Sequence, residues 1–530
     1  MKFLRFSPVS SPAAAHFALF AFSLIYYLTF FNHGLEVDDE GYLLLGAAEV
    51  LRGKWPLADF TSYGPMSYWL LAWLFRVAGQ GVMPERLMLM AFLLANGQAV
   101  LWLARRFIPL RWALAFAGLY AFAPGPWYKL FFISSLLYMT VAALFYLDRT
   151  GWKRAMLLGF SAGIGFLFRK EAGFIGLPLM FGVFTLPLLR QWLDERRTGL
   201  AVVTIHAACG LAGAAIPVAA TAAAYAAAGK IEPLVSYFSR FMFGPGTRET
   251  LAKMGVLTPF NPALALFEAE QAFYAGGLLS IAFFIIVPLR DFFLNPALRE
   301  EAMKRMTFGA MALASMAYSF PFVWGSRMLS TFPLVYVCYG AALLAAAAKT
   351  GKENHRKIVL AAGCAAILLP VAFFTKDQIY SGSITTRFAP TVEIEHPLLR
   401  GIYPYEANRE DFEDLIKEMA KAPSGATLVS MSESTTMGFL SGLSNPTVYR
   451  AFSLEFSRPG EEDRAIKEFE RLKITYFVGR RRQFLDGGGP ASNLDSYAPA
   501  IKTYLLANYD IVPLGRNFVL LRRKEKGAAL

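Results

Sequence analysis

Long apolar runs separated by short polar ones make up most of the first 374 residues. Eleven of them approach the ~20 residues that an α-helix needs to cross the hydrocarbon layer. They lie near 13–32, 84–104, 112–127, 130–147, 154–168, 172–189, 200–227, 272–289, 306–323, 328–348 and 358–374. Met66 to Gly79 is apolar too, but it is only 14 residues long and follows Pro65, which suits an interfacial or re-entrant helix better than a span. Beyond residue 374 the pattern changes. Phe412, Leu415, Ile416 and Met419 recur at helical spacing within 407–422, and Ala426 to Ser430 reads as a strand. A helix over 461–472 leads into the strand Ile474 to Val478, and Asp510 to Arg522 forms a hairpin about Gly515-Arg516-Asn517. The pattern predicts a polytopic α-helical membrane protein of about eleven spans, residues 1–374, with a small C-terminal α/β domain, residues 375–530.

Composition agrees with that reading and excludes others. Of 530 residues, 55% are hydrophobic and 17% charged, which excludes a disordered chain and a coiled coil. Cys209, Cys338 and Cys364 lie in apolar stretches and read as packing residues, so a disulfide scaffold is excluded as well. A net charge of +13 suggests nucleic acid only until it is located. Residues 1–374 carry 31 Lys and Arg against 19 Asp and Glu, whereas 375–530 carry 21 against 20. With the N-terminus inside, 19 basic and 7 acidic residues fall on the cytoplasmic side of the spans, so the charge is topogenic. Eleven spans then place the C-terminal domain outside, together with the long loops 33–83 and 228–271. No small-residue cleavage site precedes Phe31-Asn32-His33, so the first run reads as an uncleaved anchor. The expected setting is a bacterial inner membrane, with membrane lipids and no nucleic acid as partners.

Chemistry is therefore sought on the outer face. Asp38, Asp39 and Glu40 follow the first span, and an amphipathic stretch runs from them to Leu51. Acidic residues at that place also cap a helix N-terminus and complement its dipole, so a structural role is the competing reading. The order of the whole loop adds to this: Asp39-Glu40, Ala47-Ala48, Gly53, Pro56, Asp59-Phe60 and Pro65-Met-Ser-Tyr-Trp69. It resembles the first periplasmic or lumenal loop of the GT-C class of integral-membrane glycosyltransferases, especially the protein O-mannosyltransferase and aminoarabinose transferase-like branch. Gly159 to Gly173 resembles the Gly-rich fifth span of that class, which ends in a basic residue before a Gly. Tyr63-Gly64-Pro65 stands where many relatives carry His or Lys before the Pro, and Asp38 adds a third carboxylate.

The resemblance implies transfer of a sugar from a polyprenyl-phosphate donor to a lipid, glycan or protein acceptor on the outer face, by inverting single displacement and without cofactor or metal. Such a reaction needs a carboxylate to take the acceptor's proton and cations to stabilise the departing phosphate. Asp39 matches the Asp of the family pair as general base and Glu40 its orienting partner; Asp38 and Asp59 are second-tier acids. Arg169 and Lys170, beside an orienting Glu171, depart from the positive-inside pattern and are candidates for the donor phosphate, as is Arg327 between the ninth and tenth spans. Lipid-headgroup snorkelling is the alternative for these cations. His33 lacks a second ligand at metal spacing. Trp55, Tyr63, Tyr68, Trp69 and Trp73 form an aromatic belt or a surface on which a sugar stacks, and Arg480-Arg481-Arg482 reads as a solvated patch. A secondary transporter, a non-catalytic envelope scaffold and a glycan polymer ligase are the competing functions.

Overall fold

The computed structural model describes residues 11–37, 39–123, 125, 127–195, 200–238, 268–319, 332–375, 389–431, 433–450, 460–484 and 494–524. The chain divides into two compact units, one of residues 1–31, 89–221 and 258–387, the other of 32–88, 222–257 and 388–530. Each of the eleven apolar runs overlaps a helix, with residues 124, 126, 320–323 and 328–331 of those runs outside the described residues. The helices are Pro12–Leu28, Val82–Ala104, Leu110–Phe122, Leu130–Asp148, Trp152–Phe168, Lys170–Glu195, Leu200–Ala227, Ala269–Leu294, Arg299–Ser319, Pro333–Ala348 and Glu353–Thr375. Among the described residues, five stretches are long and apolar enough to cross a membrane on length and composition: Val82–Ala104, Trp127–Asp148, Lys170–Asp194, Ala201–Ala227 and Gln271–Leu294. Pro12–Leu28, Leu110–Phe122 and Pro333–Ala348 are shorter apolar helices. Bulky apolar side chains stand exposed along the longer helices, among them Ile205, Ile216, Leu279 and Ile286. Water would penalise that surface and lipid does not, so this is an integral membrane protein.

Within the first unit, small residues let helices approach closely. A Cβ at Gly159 would meet the Gly210 carbonyl, and one at Gly163 the Ala214 carbonyl, so Trp152–Phe168 and Leu200–Ala227 pack backbone against backbone. Pro178, Pro187, Pro217 and Pro288 sit inside helices, as membrane helices tolerate. Asn96 donates through Nδ2 to Tyr120 Oη at 3.1 Å and to Ser134 Oγ at 2.9 Å, a buried link between three helices. A charged network ties other helix ends. Arg106 pairs with both oxygens of Asp148, at 3.0 and 2.7 Å, and Lys304 joins Asp148 at 3.1 Å and Glu300 at 2.9 Å.

The second unit holds the α/β fold that the pattern predicts. Strands β1 (Leu428–Ser430), β2 (Tyr476–Arg480), β3 (Tyr509–Leu514) and β4 (Phe518–Arg523) form one sheet in the order β1-β2-β4-β3. β1 and β2 are parallel, and the other two pairings are antiparallel. Their apolar faces meet Phe469, Ile501 and Leu505, from the helices Glu461–Leu472 and Pro499–Asn508, in a closed core. Asp411, near the start of the helix Arg409–Met419, accepts the backbone N–H groups of Arg516 and Asn517 at 2.9 and 3.0 Å, which fixes the β3–β4 turn. The helices Thr435–Leu440 and Pro499–Asn508 were not legible in the sequence pattern.

Candidate functional site

The acidic segment opens the helix Asp39–Leu51, and its immediate context lies within the second unit. An amphipathic stretch is the expectation from sequence, but every residue from Glu40 to Glu49 is buried. The reason is that the helix Pro65–Ala78 packs on one side of it and Thr435–Leu440 on another. Close approach to the latter requires Gly41, since a Cβ there would run into the backbone of Thr436. Two hydrogen bonds fix the register: Thr436 N–H donates to the Val37 carbonyl at 3.1 Å, and its hydroxyl to the Glu36 carbonyl at 2.6 Å.

Glu40 is fully buried and its carboxylate is fully engaged. Arg86, also fully buried, grips it with two donors, Nε on Oε1 and Nη2 on Oε2 at 2.9 Å, and sends Nη2 to the Gly34 carbonyl at 3.0 Å as well. A planar guanidinium against a carboxylate is the strong, orientation-specific form of ion pair. The loop closes around it, with Glu36 N–H donating to Glu40 Oε2 at 2.9 Å and Glu40 N–H to Glu36 Oε2 at 3.0 Å. Glu85, completely buried as well, places Oε2 3.7 Å from Arg86 Nε. Asp39 is the half-buried first residue of a helix clamped one position later.

Other charges are used up in holding the loop. Glu49, 1% exposed, pairs with Arg52 at 2.6 Å and Lys54 at 2.7 Å and accepts the Asn445 N–H at 3.2 Å. Arg450 is buried against the rings of Tyr42 and Phe60, 4.6 and 4.8 Å from their centroids, and donates to the Tyr42 carbonyl at 2.7 Å. Asp59 accepts from Lys230 Nζ at 2.8 Å and from the Trp55 N–H at 2.9 Å, which gives it a clear structural occupation.

Arg169, Lys170 and Glu171 belong to the first unit. Arg169 leaves the helical conformation (φ −149°, ψ 107°) between Trp152–Phe168 and Lys170–Glu195, so the two cations mark a break in a helical stretch. Its N–H still donates to the Gly165 carbonyl at 2.8 Å, and its carbonyl accepts from Ala172 at 2.9 Å. The residue is 5% exposed, and Glu171 Oε2 is buried with no hydrogen-bond partner among the described residues. Asp39, Glu40 and Asp59 thus share one unit and Arg169 to Glu171 the other, while Asp38 and Arg327 lie outside the described residues. Among the described residues no group of three or more His, Cys, Asp or Glu is arranged to hold a metal ion.

Sequence reasoning missed Glu85, Arg86, Glu49 and Arg450. For Glu85-Arg86 a signal existed, because two charges at the head of a membrane-length apolar run are costly unless partnered. For Arg450 none did, since its partners lie about 400 positions away in the chain.

No protein-family model matches the sequence, and no curated protein matches it. Solved structures do. The archaeal oligosaccharyltransferase AglB from Archaeoglobus fulgidus, in complex with an inhibitory peptide and a dolichol-phosphate, is 12% identical with a TM-score of 0.53, over 97% of this chain and 75% of that one. ArnT from Cupriavidus metallidurans bound to undecaprenyl phosphate is 15% identical with a TM-score of 0.50, over 97% and 99% of the two chains. Its apo form gives 16% and 0.50. Both neighbours are GT-C glycosyltransferases, and the fold of this chain is the GT-C fold over nearly its whole length.

Proposed function

We propose that this GT-C-fold membrane protein transfers a sugar from a polyprenyl-phosphate donor to an acceptor on the outer face of the membrane. The observation that carries the reading is the clamp on the acidic segment. Arg86 fixes Glu40 with two hydrogen bonds, so the residue before it on the same helix, Asp39, is held in place without being sealed in. A general base must be positioned before it is tuned, and that is the arrangement a proton acceptor needs. The same fold has been solved with dolichol-phosphate in AglB and with undecaprenyl phosphate in ArnT, which favours a carrier of that chemistry here.

In the proposed step, Asp39 takes the proton of the acceptor nucleophile as the nucleophile attacks the anomeric carbon. The bond from that carbon to the carrier phosphate breaks with inversion, and Arg169 and Lys170 stabilise the phosphate that leaves. Glu40 acts through position, not contact. The distribution of Lys and Arg supports a cytoplasmic N-terminus, with the 33–83 loop and residues 375–530 outside; a bacterial inner membrane is the setting proposed with it. The test is incubation of the purified protein in lipid with a panel of polyprenyl-phosphate sugars, scoring release of carrier phosphate. Release from one donor, dependent on added acceptor, is the expected result, and no release from any donor across a range of acceptors refutes the reading.

A further inference from the structure

A cleft of about 310 Å³ opens in the second unit between the C-terminal end of the helix Asp39–Leu51 and the helix Pro65–Ala78, with Gly53, Lys54, Trp55, Trp69, Trp73 and Arg76 in its lining. Its walls are built. Trp55 and Trp69 meet edge to face at 5.8 Å, and both pack on Tyr225, at 5.0 and 5.8 Å, so the two indoles are supported from behind. Trp73 follows Trp69 by one helical turn and is 57% exposed, and Arg76 follows by nearly another turn on the same face. Gly53, at φ +87°, leaves one side open, because a Cβ there would meet nothing within 4 Å. The two cations are not equivalent. Glu49 neutralises Lys54 at 2.7 Å, whereas Arg76 has no carboxylate within ion-pair distance among the described residues.

We infer that this cleft is a subsite for one saccharide ring that carries an anionic group. Rigid indole faces offer a large apolar area at little cost in conformational entropy, which suits the C–H face of a sugar, and Arg76 supplies the charge for a carboxylate or phosphate at the rim. Indoles that only anchor a protein at the membrane surface face lipid. Here Trp55 and Trp69 are half-buried walls instead. The volume is at the small end for ligand sites, room for one ring. Val50, also in the lining, lies roughly 16 Å along the helix from Asp39 at 1.5 Å per residue. The ring held is therefore not the reacting one but a neighbour along an oligosaccharide acceptor, whose remote binding energy helps to orient the reacting end. As a statement about the acceptor this rests on the sugar-transfer reading; as a statement about binding it does not.

Saturation-transfer NMR on the full chain in phosphatidylcholine nanodiscs, without donor, tests it. The probes are a glucuronate-bearing hyaluronan tetrasaccharide, neutral chitotetraose and inorganic phosphate. The expected result is stronger binding of the charged tetrasaccharide, a loss of tenfold or more for both saccharides in Trp73→Ala, and loss of the charge preference alone in Arg76→Gln. Both substituted side chains are exposed, so unchanged thermal unfolding confirms that the variants fold. Binding of neither saccharide, or equal binding by both variants, overturns the assignment. So does displacement by inorganic phosphate alone or by phosphatidylglycerol added to the discs, since the cleft is then a phosphate or headgroup anchor. Because no turnover enters the measurement, binding by a protein inactive with every donor refutes only the reaction, and transfer by a protein that binds no saccharide probe refutes only the cleft.

Discussion

Replacing Arg86 by Ala tests the clamp directly. The guanidinium supplies two hydrogen bonds to Glu40 and one to the Gly34 carbonyl, and it is the cation nearest to Glu85, at 3.7 Å. All three ionisable side chains are 0% exposed, so water cannot take over what Arg86 provides. Removing one partner of a buried pair costs about 3–5 kcal/mol, because the desolvated Glu40 carboxylate is left behind. For a unit of this size that is a fall in unfolding midpoint of about 6–20 °C, at roughly 2–4 °C per kcal/mol. The assay is thermal unfolding of the purified protein in nanodiscs, run as a double-mutant cycle with Glu40→Gln. Glu40→Gln alone also destabilises, since it leaves the guanidinium facing a neutral amide. The double variant should be less destabilised than the sum of the two single changes, by at least ~1.5 kcal/mol of coupling. Additive losses, or an Arg86→Ala protein that melts with the wild type, would show that the pair does not hold the segment, and the argument for a positioned Asp39 would go with it.

Asp39→Asn should lower turnover by about 10²-fold or more while leaving the unfolding midpoint nearly unchanged, because Asn still serves at a helix start but has no basic lone pair; wild-type turnover would return Asp39 to a capping role. Neutralising Arg169 and Lys170 together should weaken donor use by about 1.5–3 kcal/mol for each charge-assisted hydrogen bond lost, read from donor saturation curves, and unchanged curves would leave both as lipid anchors. Gly41→Ala should destabilise by about 1–3 kcal/mol through overpacking against Thr436, against the gain that helix propensity alone predicts; a higher midpoint would contradict the close approach. Burial pushes the imidazole of His396 below its ordinary value. The folded state therefore binds fewer protons than the unfolded one once pH falls below about 6.5. Its contribution to stability is complete above that pH and is lost as pH drops toward the lowered value, so wild type should lose more stability than His396→Asn between pH 7 and 5.

Much of the architecture was legible because it rests on local pattern. Each of the eleven apolar runs overlaps a helix among the described residues, and the short segments after residue 400 became strands and helices around one small sheet, since hydrophobic period and span length are written into neighbouring residues. The order Asp39-Glu40, Pro56, Asp59-Phe60 and Pro65 pointed to the GT-C fold for the same reason: the loop carries its sequence in one piece. Tertiary structure decided what lies between distant pieces. The grouping of 32–88 with 388–530 in one compact unit depends on contacts such as Arg450 to Tyr42, Thr436 to Val37 and Arg52 to the Gly442 carbonyl, each spanning about 400 residues. The helix Asp39–Leu51 looked half-exposed because nothing near it in the chain shows what covers it. Charge roles separated in the same way. Sequence gives a carboxylate its identity and an expected side of the membrane, but only packing decides that Glu40 meets Arg86 with neither side chain exposed to solvent while Asp39, one residue earlier, is only half-buried, because desolvation and ion pairing depend on what surrounds a group in space.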